Sequence, residues 1–256
     1  TFTGKGLTFG GSLIRKQATG YGLCYFVEEA LQTIEKTGFS GKKVIISGSG
    51  NVALYAAEKA IELGATVIAM SDSSGIVYDP KGIDINKMID LKEVQRKRIN
   101  SYTKLVASAV YEEGANNIWK FPCDIALPCA TQNELSINEA KLLVDNGVRI
   151  VAEGANMPCS LEAIEYFKEN NVIFAPGKAA NAGGVLVSGL EMSQNASFYP
   201  WTSEKVDETL KTIMREIFHN ANNTASKYGF KYDLEFGANV AGFLKVAQAM
   251  LAQGVV

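Results

Sequence analysis

The residues whose types and spacing speak most clearly of chemistry are Gly48-Ser49-Gly50-Asn51-Val52-Ala53, which match G-x-G-x-x-A. The first glycine permits a tight turn, the second lets a pyrophosphate approach the backbone, and a small third residue lets a helix pack closely on a strand. A helix starting here offers unpaired N–H groups and the positive end of its dipole to phosphate oxygens. Asp72 follows at about 20 residues' distance, where an acid can accept bonds from the ribose hydroxyls of an adenosine, a pattern that favours NAD. Ser73, Ser74 and Gly75 come directly after it, and those hydroxyls could hold a 2′-phosphate. The run Lys92-Glu93-Val94-Gln95-Arg96-Lys97-Arg98 supplies cations for the same place. Read by pattern alone, that run is a solvated helix face.

Other chemistries fit poorly. Gly177-Lys178 is followed by Ala179, and Val172 stands where a P-loop needs its first glycine; Gly4-Lys5-Gly6 lacks the following Ser or Thr. Cys24, Cys123, Cys129 and Cys159 form no C-x-x-C pair, so a disulfide framework is not expected, and the reading is of reduced thiols in a cytoplasmic protein. A redox switch through Cys123 and Cys129 is disfavoured because the two flank one short strand. The sole histidine, His219, lies in a helical pattern and reads as a surface or packing residue; with one histidine and these sulfur spacings no metal site is expected. Lys plus Arg number 25 against 27 Asp plus Glu, a net charge of −2, which argues against nucleic acid or a membrane surface as partner. No apolar run is long enough to span a bilayer. The opening Thr1-Phe2-Thr3 has neither Met nor a secretory pattern, which raises the expectation of a processed chain or a fragment.

The glycine turn needs a strand before it and a helix after it, and the sequence supplies both. Lys43-Val44-Ile45-Ile46-Ser47 is a β-branched run, residues 51–63 are Ala-rich and end at Gly64, and Thr66-Val67-Ile68-Ala69-Met70 is a second strand. Strand, helix, strand with short connections is a βαβ unit with parallel strands. An amphipathic helix is expected over 22–36. Further strands are expected at 124–128, 149–153 and 171–175, with helices at 138–145 and 161–168. Each strand runs into a small or polar turn: Cys129-Ala130-Thr131, Gly154-Ala155-Asn156 and Pro176-Gly177-Lys178. Beyond about residue 185 strands stop, and 205–227 and 238–251 read as helices. The fold expected is α/β: a Rossmann-like, doubly wound, mostly parallel sheet with flanking helices and a helical C-terminal segment. Residues 1–190 are read as the dinucleotide-binding domain and 191–256 as the helical segment completing it. Ligands of such sheets sit at the carboxyl ends of the strands, so these turns face one crevice.

Several motifs in order then carry a resemblance. Gly4-Lys5-Gly6-Leu7-Thr8-Phe9-Gly10-Gly11-Ser12, Arg15 with Ala18-Thr19-Gly20-Tyr21-Gly22, Ser47 to Ala53, Ala126-Leu127-Pro128-Cys129-Ala130-Thr131-Gln132-Asn133-Glu134, Ala152-Glu153-Gly154-Ala155-Asn156-Met157-Pro158, and Ala175 to Val185 with Ser188 and Glu191 resemble the hexameric glutamate dehydrogenases. The likeness covers essentially the whole chain, and the Ser71-to-Gly75 stretch resembles the NADP-using bacterial branch. The resemblance implies reversible oxidative deamination of L-glutamate to 2-oxoglutarate and ammonium with a nicotinamide cofactor, NADP preferred and NAD possible, in a cytoplasmic homohexamer. It implies that Gly48, Ser49, Gly50, Asn51 and Val52 contact the pyrophosphate, and that Asp72 and Ser73 meet the adenosine ribose. Lys92 and Arg98 would reach the 2′-phosphate. Ala130, Thr131 and Asn156 would line the nicotinamide ribose, Asn181 the carboxamide, and Thr19 the nicotinamide side of the cleft. Val185, Ser188 and Arg15 would bind substrate, the serine hydroxyl meeting its γ-carboxylate. The family's catalytic lysine and aspartate belong to a preceding domain, and no catalytic residue is assigned within these 256 residues. The chain is therefore expected to be the cofactor-binding part, able to bind cofactor without turnover. A leucine, valine or phenylalanine dehydrogenase is the alternative, with Ser188 out of place in an apolar pocket; a non-catalytic dinucleotide sensor is another.

Overall fold

The computed structural model describes residues 2–254. Its first half holds α1 (Ala18–Ile34), β1 (Lys43–Ile46), α2 (Asn51–Glu62), β2 (Thr66–Asp72), β3 (Gly75–Tyr78), α3 (Ile85–Ile89) and β4 (Val110–Glu113). Then come β5 (Ile125–Leu127), α4 (Ile137–Asp145), β6 (Ile150–Ala152), α5 (Leu161–Glu169), β7 (Ile173–Ala175), α6 (Gly177–Ala180), α7 (Gly183–Ser197), α8 (Ser203–Lys227) and α9 (Leu234–Gln253).

The seven strands form one sheet in the order β4-β3-β2-β1-β5-β6-β7. The five from β2 to β7 across β1 are parallel, as the βαβ pattern requires. Both faces of these strands are covered. Val44 and Ile46 point into one buried cluster with α1, α2 and α8, while Ile45 points into a second with Trp119, Leu143 and Phe167. Alternation at period two across a doubly covered sheet explains the continuous β-branched runs.

The outer ribbon departs from the expected pattern. β3 runs antiparallel to β2 and to β4, pairing Asp72 with Gly75 through a tight turn. Neither short strand was expected: Val110-Tyr111-Glu112-Glu113 is a half-exposed polar edge with no apolar alternation to betray it. Helix α1 also begins earlier than residue 22, at Ala18, because its glycines are packing positions and not breaks.

Those glycines let three helices meet. A Cβ on Gly20 would stand 2.4 Å from the Ala56 nitrogen of α2. A Cβ on Gly183, at the start of α7, would stand 2.1 Å from the Ala18 carbonyl oxygen. Phe26 of α1 is fully buried and meets Phe218 of α8 edge to face at 5.6 Å between centroids. Burying one such ring contributes about 1.5–3 kcal/mol, so the C-terminal helices share the core of the sheet. Among the described residues no helix is long and apolar enough to cross a membrane.

The contact of α1 with α7 yields a direct test. Gly183→Ala forces a methyl into a backbone carbonyl that cannot swing away. It should lower the free energy of unfolding by about 1–3 kcal/mol, read as a shift of the urea midpoint with unchanged slope.

Candidate functional site

The sheet's carboxyl edge reverses direction of winding between β1 and β5, and the glycine turn lies at that reversal. Gly48 adopts φ 89°, a left-handed conformation that favours glycine, and its N–H donates to Ser71 Oγ at 3.0 Å. Gly50 caps α2 with extended backbone and no side-chain bond, and the first turn of α2 holds no acid. A Cβ on Gly50 would meet nothing within 4 Å. The N–H groups of Asn51 and Val52 thus open onto free space with a dipole that favours an anion, while buried Ala53 packs the helix down. Ser49 is half-buried in the turn.

From this turn a cavity of about 690 Å³ extends toward α7. One wall is Cys129, Ala130, Thr131 and Gln132; another is Gly154, Ala155 and Asn156 with Asn181. Asn181 Nδ2 donates to Asn156 Oδ1 at 2.9 Å and to the Ala155 carbonyl at 3.3 Å, which fixes its amide and leaves its own oxygen uncommitted. The far end is Thr19 and Arg15 beside α1, with Val185 and Ser188 one helical turn apart on α7. Val185 is 74% exposed and Ser188 is buried. Arg15 is the only charged side chain lining this cavity, and its Nε is buried with no hydrogen-bond partner. A guanidinium left in this condition fits an anionic ligand.

Of the residues expected along this crevice, Arg15, Thr19, Val52, Ala130, Thr131, Asn156, Asn181, Val185 and Ser188 line the cavity, while Gly48, Ser49, Gly50 and Asn51 form the turn that leads to it; the four expected at the adenosine end form one separate cluster. Residues 92–98 are not a regular helix face. Asp90–Val94 makes a single wide turn, Arg96 takes φ 52°, and Arg98 is extended. This shape returns the chain to β2, where Arg98 Nη1 donates to Ser73 Oγ at 2.7 Å and Lys92 Nζ stands 3.7 Å from Asp72 Oδ2. Asp72 is buried, and both its oxygens are engaged: Oδ1 accepts from the Ser74 N–H and hydroxyl at 2.8 and 2.6 Å, and Oδ2 accepts from the Ile99 N–H at 3.0 Å. Burial pushes its carboxyl up, but the Ser74 and Ile99 bonds and the Lys92 charge outweigh this and hold it below the ordinary aspartate range. Asp72 therefore anchors the loop that carries Ser73 and the cations, while Ser73 and Arg98 remain exposed.

Several lining groups were not singled out as site residues by sequence. Gln132 and Cys129 line the cavity, and Ser71 supports Gly48; only their places next to strand ends could have marked them. His219 is remote, 2.7 Å from Glu29 Oε1 beside Arg215. The four thiols are free and buried, and burial pushes those of Cys123 and Cys129 up, which makes them poor nucleophiles. A second cleft of about 560 Å³ lies at the opposite, amino ends of β6 and β7. Two of its cations are paired, Arg149 with Glu35 and Lys168 with Asp233 and Glu235, while Lys231 lies over the Tyr232 ring. The crevice at the carboxyl ends is the better ligand site, since it adjoins the glycine turn and holds a buried guanidinium nitrogen without a partner.

The profile of the glutamate/leucine/phenylalanine/valine dehydrogenases matches residues 10–254. The chain belongs to this family. It is 55% identical over its whole length to the NADP-specific glutamate dehydrogenase of Escherichia coli K12, covering 57% of that protein. It is 52% identical over 99% of its length to the enzyme of the same name from Helicobacter pylori J99, covering 58% of it. A solved glutamate dehydrogenase from Plasmodium falciparum superposes with a TM-score of 0.94 at 49% identity, over 99% of this chain and 55% of that one. The chain thus spans little more than half the length of these family members.

The charge on Asp72 leads to a pH test. Its pKa is depressed on folding, so its contribution is present above its unfolded value near 4 and fades as pH falls through the lower folded value. Asp72→Asn should cost about 1–3 kcal/mol at pH 7, and the gap from the unaltered protein should narrow progressively in urea titrations as pH is lowered below about 4.

Proposed function

We propose that this chain is the cofactor-binding portion of a glutamate dehydrogenase that uses NADP in preference to NAD. The whole enzyme would interconvert L-glutamate with 2-oxoglutarate and ammonium. The observation that carries this reading is one cavity lined at one end by Val52, in the first turn of the helix that the uncapped glycine turn starts, and at the other by the unpaired Arg15 beside Ser188. A dinucleotide laid along it would place its nicotinamide next to a group able to hold a carboxylate.

The residues fit that cofactor. The N–H groups of Asn51 and Val52, with Gly48 and Gly50 giving clearance, would hold the pyrophosphate. Ser73, Arg98 and Lys92 form a cationic, hydroxyl-bearing pocket for a 2′-phosphate, with Asp72 as its anchor; an Arg beside such a phosphate gives strong charge-assisted bonds. The names of the Escherichia coli and Helicobacter pylori relatives support the same preference. Ala130, Thr131 and Asn156 would border the nicotinamide ribose, Thr19 the ring, and the free Asn181 oxygen would accept from the carboxamide. The nicotinamide supplies the hydride acceptor and donor. Ser188 would donate to the substrate's γ-carboxylate, Val185 would flank its methylenes, and Arg15 would offset part of its charge. A buried hydroxyl and a half-buried guanidinium suit glutamate and not an aliphatic side chain, which would leave both unpaired.

On this reading residues 1–190 are the dinucleotide-binding unit and 191–256 complete it. The catalytic lysine and aspartate are supplied by a further domain of a cytoplasmic homohexamer. Closure of that domain over the crevice would exclude water.

Calorimetric titration of the chain should show NADP binding more tightly than NAD. Arg98→Ala should weaken NADP by about tenfold or more and leave NAD nearly unchanged. Equal binding of both nucleotides by the unaltered chain would contradict the 2′-phosphate assignment. Glutamate-dependent reduction of NADP by the chain alone should be undetectable.

A further inference from the structure

Two carboxylates, one buried and one half-buried, stand behind the crevice without lining it. Glu134, half-buried, accepts from the Ser47 hydroxyl at 2.9 Å and from the Ala130 N–H at 3.0 Å through the same oxygen, Oε1. Ser47 Oγ in turn accepts from the Cys129 N–H at 2.8 Å. Ser47 immediately precedes the glycine turn, so this relay ties loop 129–131 to the end of β1. Glu153, 5% exposed at the end of β6, accepts from the Gly177 N–H at 2.7 Å and from the Cys159 N–H at 3.3 Å, one bond on each oxygen. Gly177 begins the short helix that leads to Asn181, and Cys159 closes the loop that carries Asn156. Each carboxylate thus joins two chain segments that line one half of the cavity.

Nothing else accounts for these charges. The groups that favour their ionised forms are N–H, hydroxyl and thiol donors, with no cation among them, and burial pushes both carboxyls up. Burying an unpaired carboxylate is costly, and an amide or an apolar residue would serve a purely structural purpose at lower cost. At Glu153 a carboxylate differs from an amide in accepting on both oxygens, which is what donors on separate oxygens require; at Glu134 one oxygen serves as the shared acceptor of two donors.

We propose that Glu134 and Glu153 are positioning residues that set the width of the nicotinamide half of the cavity, each holding one of its two walls in register through backbone N–H donors. The inference rests on the cofactor reading above. It concerns the nicotinamide half only, since neither residue touches the Ser73–Arg98 corner.

That asymmetry supplies the test. NADP and 2′,5′-ADP, which is its adenosine half alone, are titrated into the chain and into its Glu153→Gln and Glu134→Ala variants. At position 153 glutamine keeps the volume but turns an NH₂ toward one of the two N–H donors. At position 134, where one oxygen receives both donors, alanine removes the shared acceptor of the Ser47 hydroxyl and the Ala130 N–H. Each variant should lose about five- to tenfold in NADP affinity while 2′,5′-ADP binding stays within about twofold. Retained 2′,5′-ADP binding also shows that the variant is folded. Parallel loss of both ligands in both variants would overturn the inference in favour of a role in the fold at large. Unchanged NADP binding in both would overturn it outright. If the unaltered chain binds neither ligand, the cofactor reading itself falls, and the inference with it.

Discussion

The pairing of β1 with β5 is the constraint on which the site depends. The chain leaves β1 and winds toward β2 on one side, then returns to add β5, β6 and β7 on the other. The helices after β1 and after β5 must therefore diverge, and the space between their first turns cannot be filled by connecting chain. The pairing of Val44 with Ile125, Ile45 with Ala126 and Ile46 with Leu127 is short but fully buried. It places Gly48 against Ala130, where a Cβ would come within 3.2 Å of the loop. The glycine turn is thus where two walls of the cavity approach most closely, and its left-handed backbone is what lets them do so.

Charge is distributed along the crevice with an economy that follows from burial. The phosphate-facing turn uses backbone N–H groups and a helix dipole, which need no counterion and cost no side-chain entropy. The corner beside Ser73 holds two cations, Lys92 and Arg98, next to a buried carboxylate whose two oxygens are committed within the protein. The opposite end keeps one guanidinium unpaired. A similar buried carboxylate, Glu191, holds the chain's start against α7 by accepting from the Gly4 N–H at 2.8 Å and pairing with Lys5 at 2.6 Å. That tether brings the glycine-rich opening segment alongside the helix that carries Val185 and Ser188.

Much of this was legible because it is local. The turn at Gly48, the buried strands and the helices α4 and α5 that follow β5 and β6 are each set by a few adjacent residues. What escaped sequence reading depends on tertiary contact. The β3–β4 ribbon is stabilised by pairing against β2, not by its own apolar pattern. The 92–98 run resembled a solvated helix face because nothing in its sequence shows the turn at Arg96 that folds it back. Asp72 has the spacing of a ribose ligand, yet only the structure shows that Ser74 and Ile99 occupy its oxygens. Glu134 and Glu153 stood inside motifs carried by resemblance, but a carboxylate's depth cannot be read from its neighbours in sequence. The family resemblance nominated candidate residues, and the geometry separates those open to the cavity from those whose polar groups are committed within the protein.

The most direct test of the account is a crystal structure of the chain grown with NADP. The account predicts a pyrophosphate on the N–H groups of Asn51 and Val52, a 2′-phosphate within hydrogen-bond distance of Ser73 and Arg98, and a nicotinamide carboxamide at Asn181. Nucleotide bound instead in the cleft at the amino ends of β6 and β7, or with its adenosine away from Ser73, would contradict it.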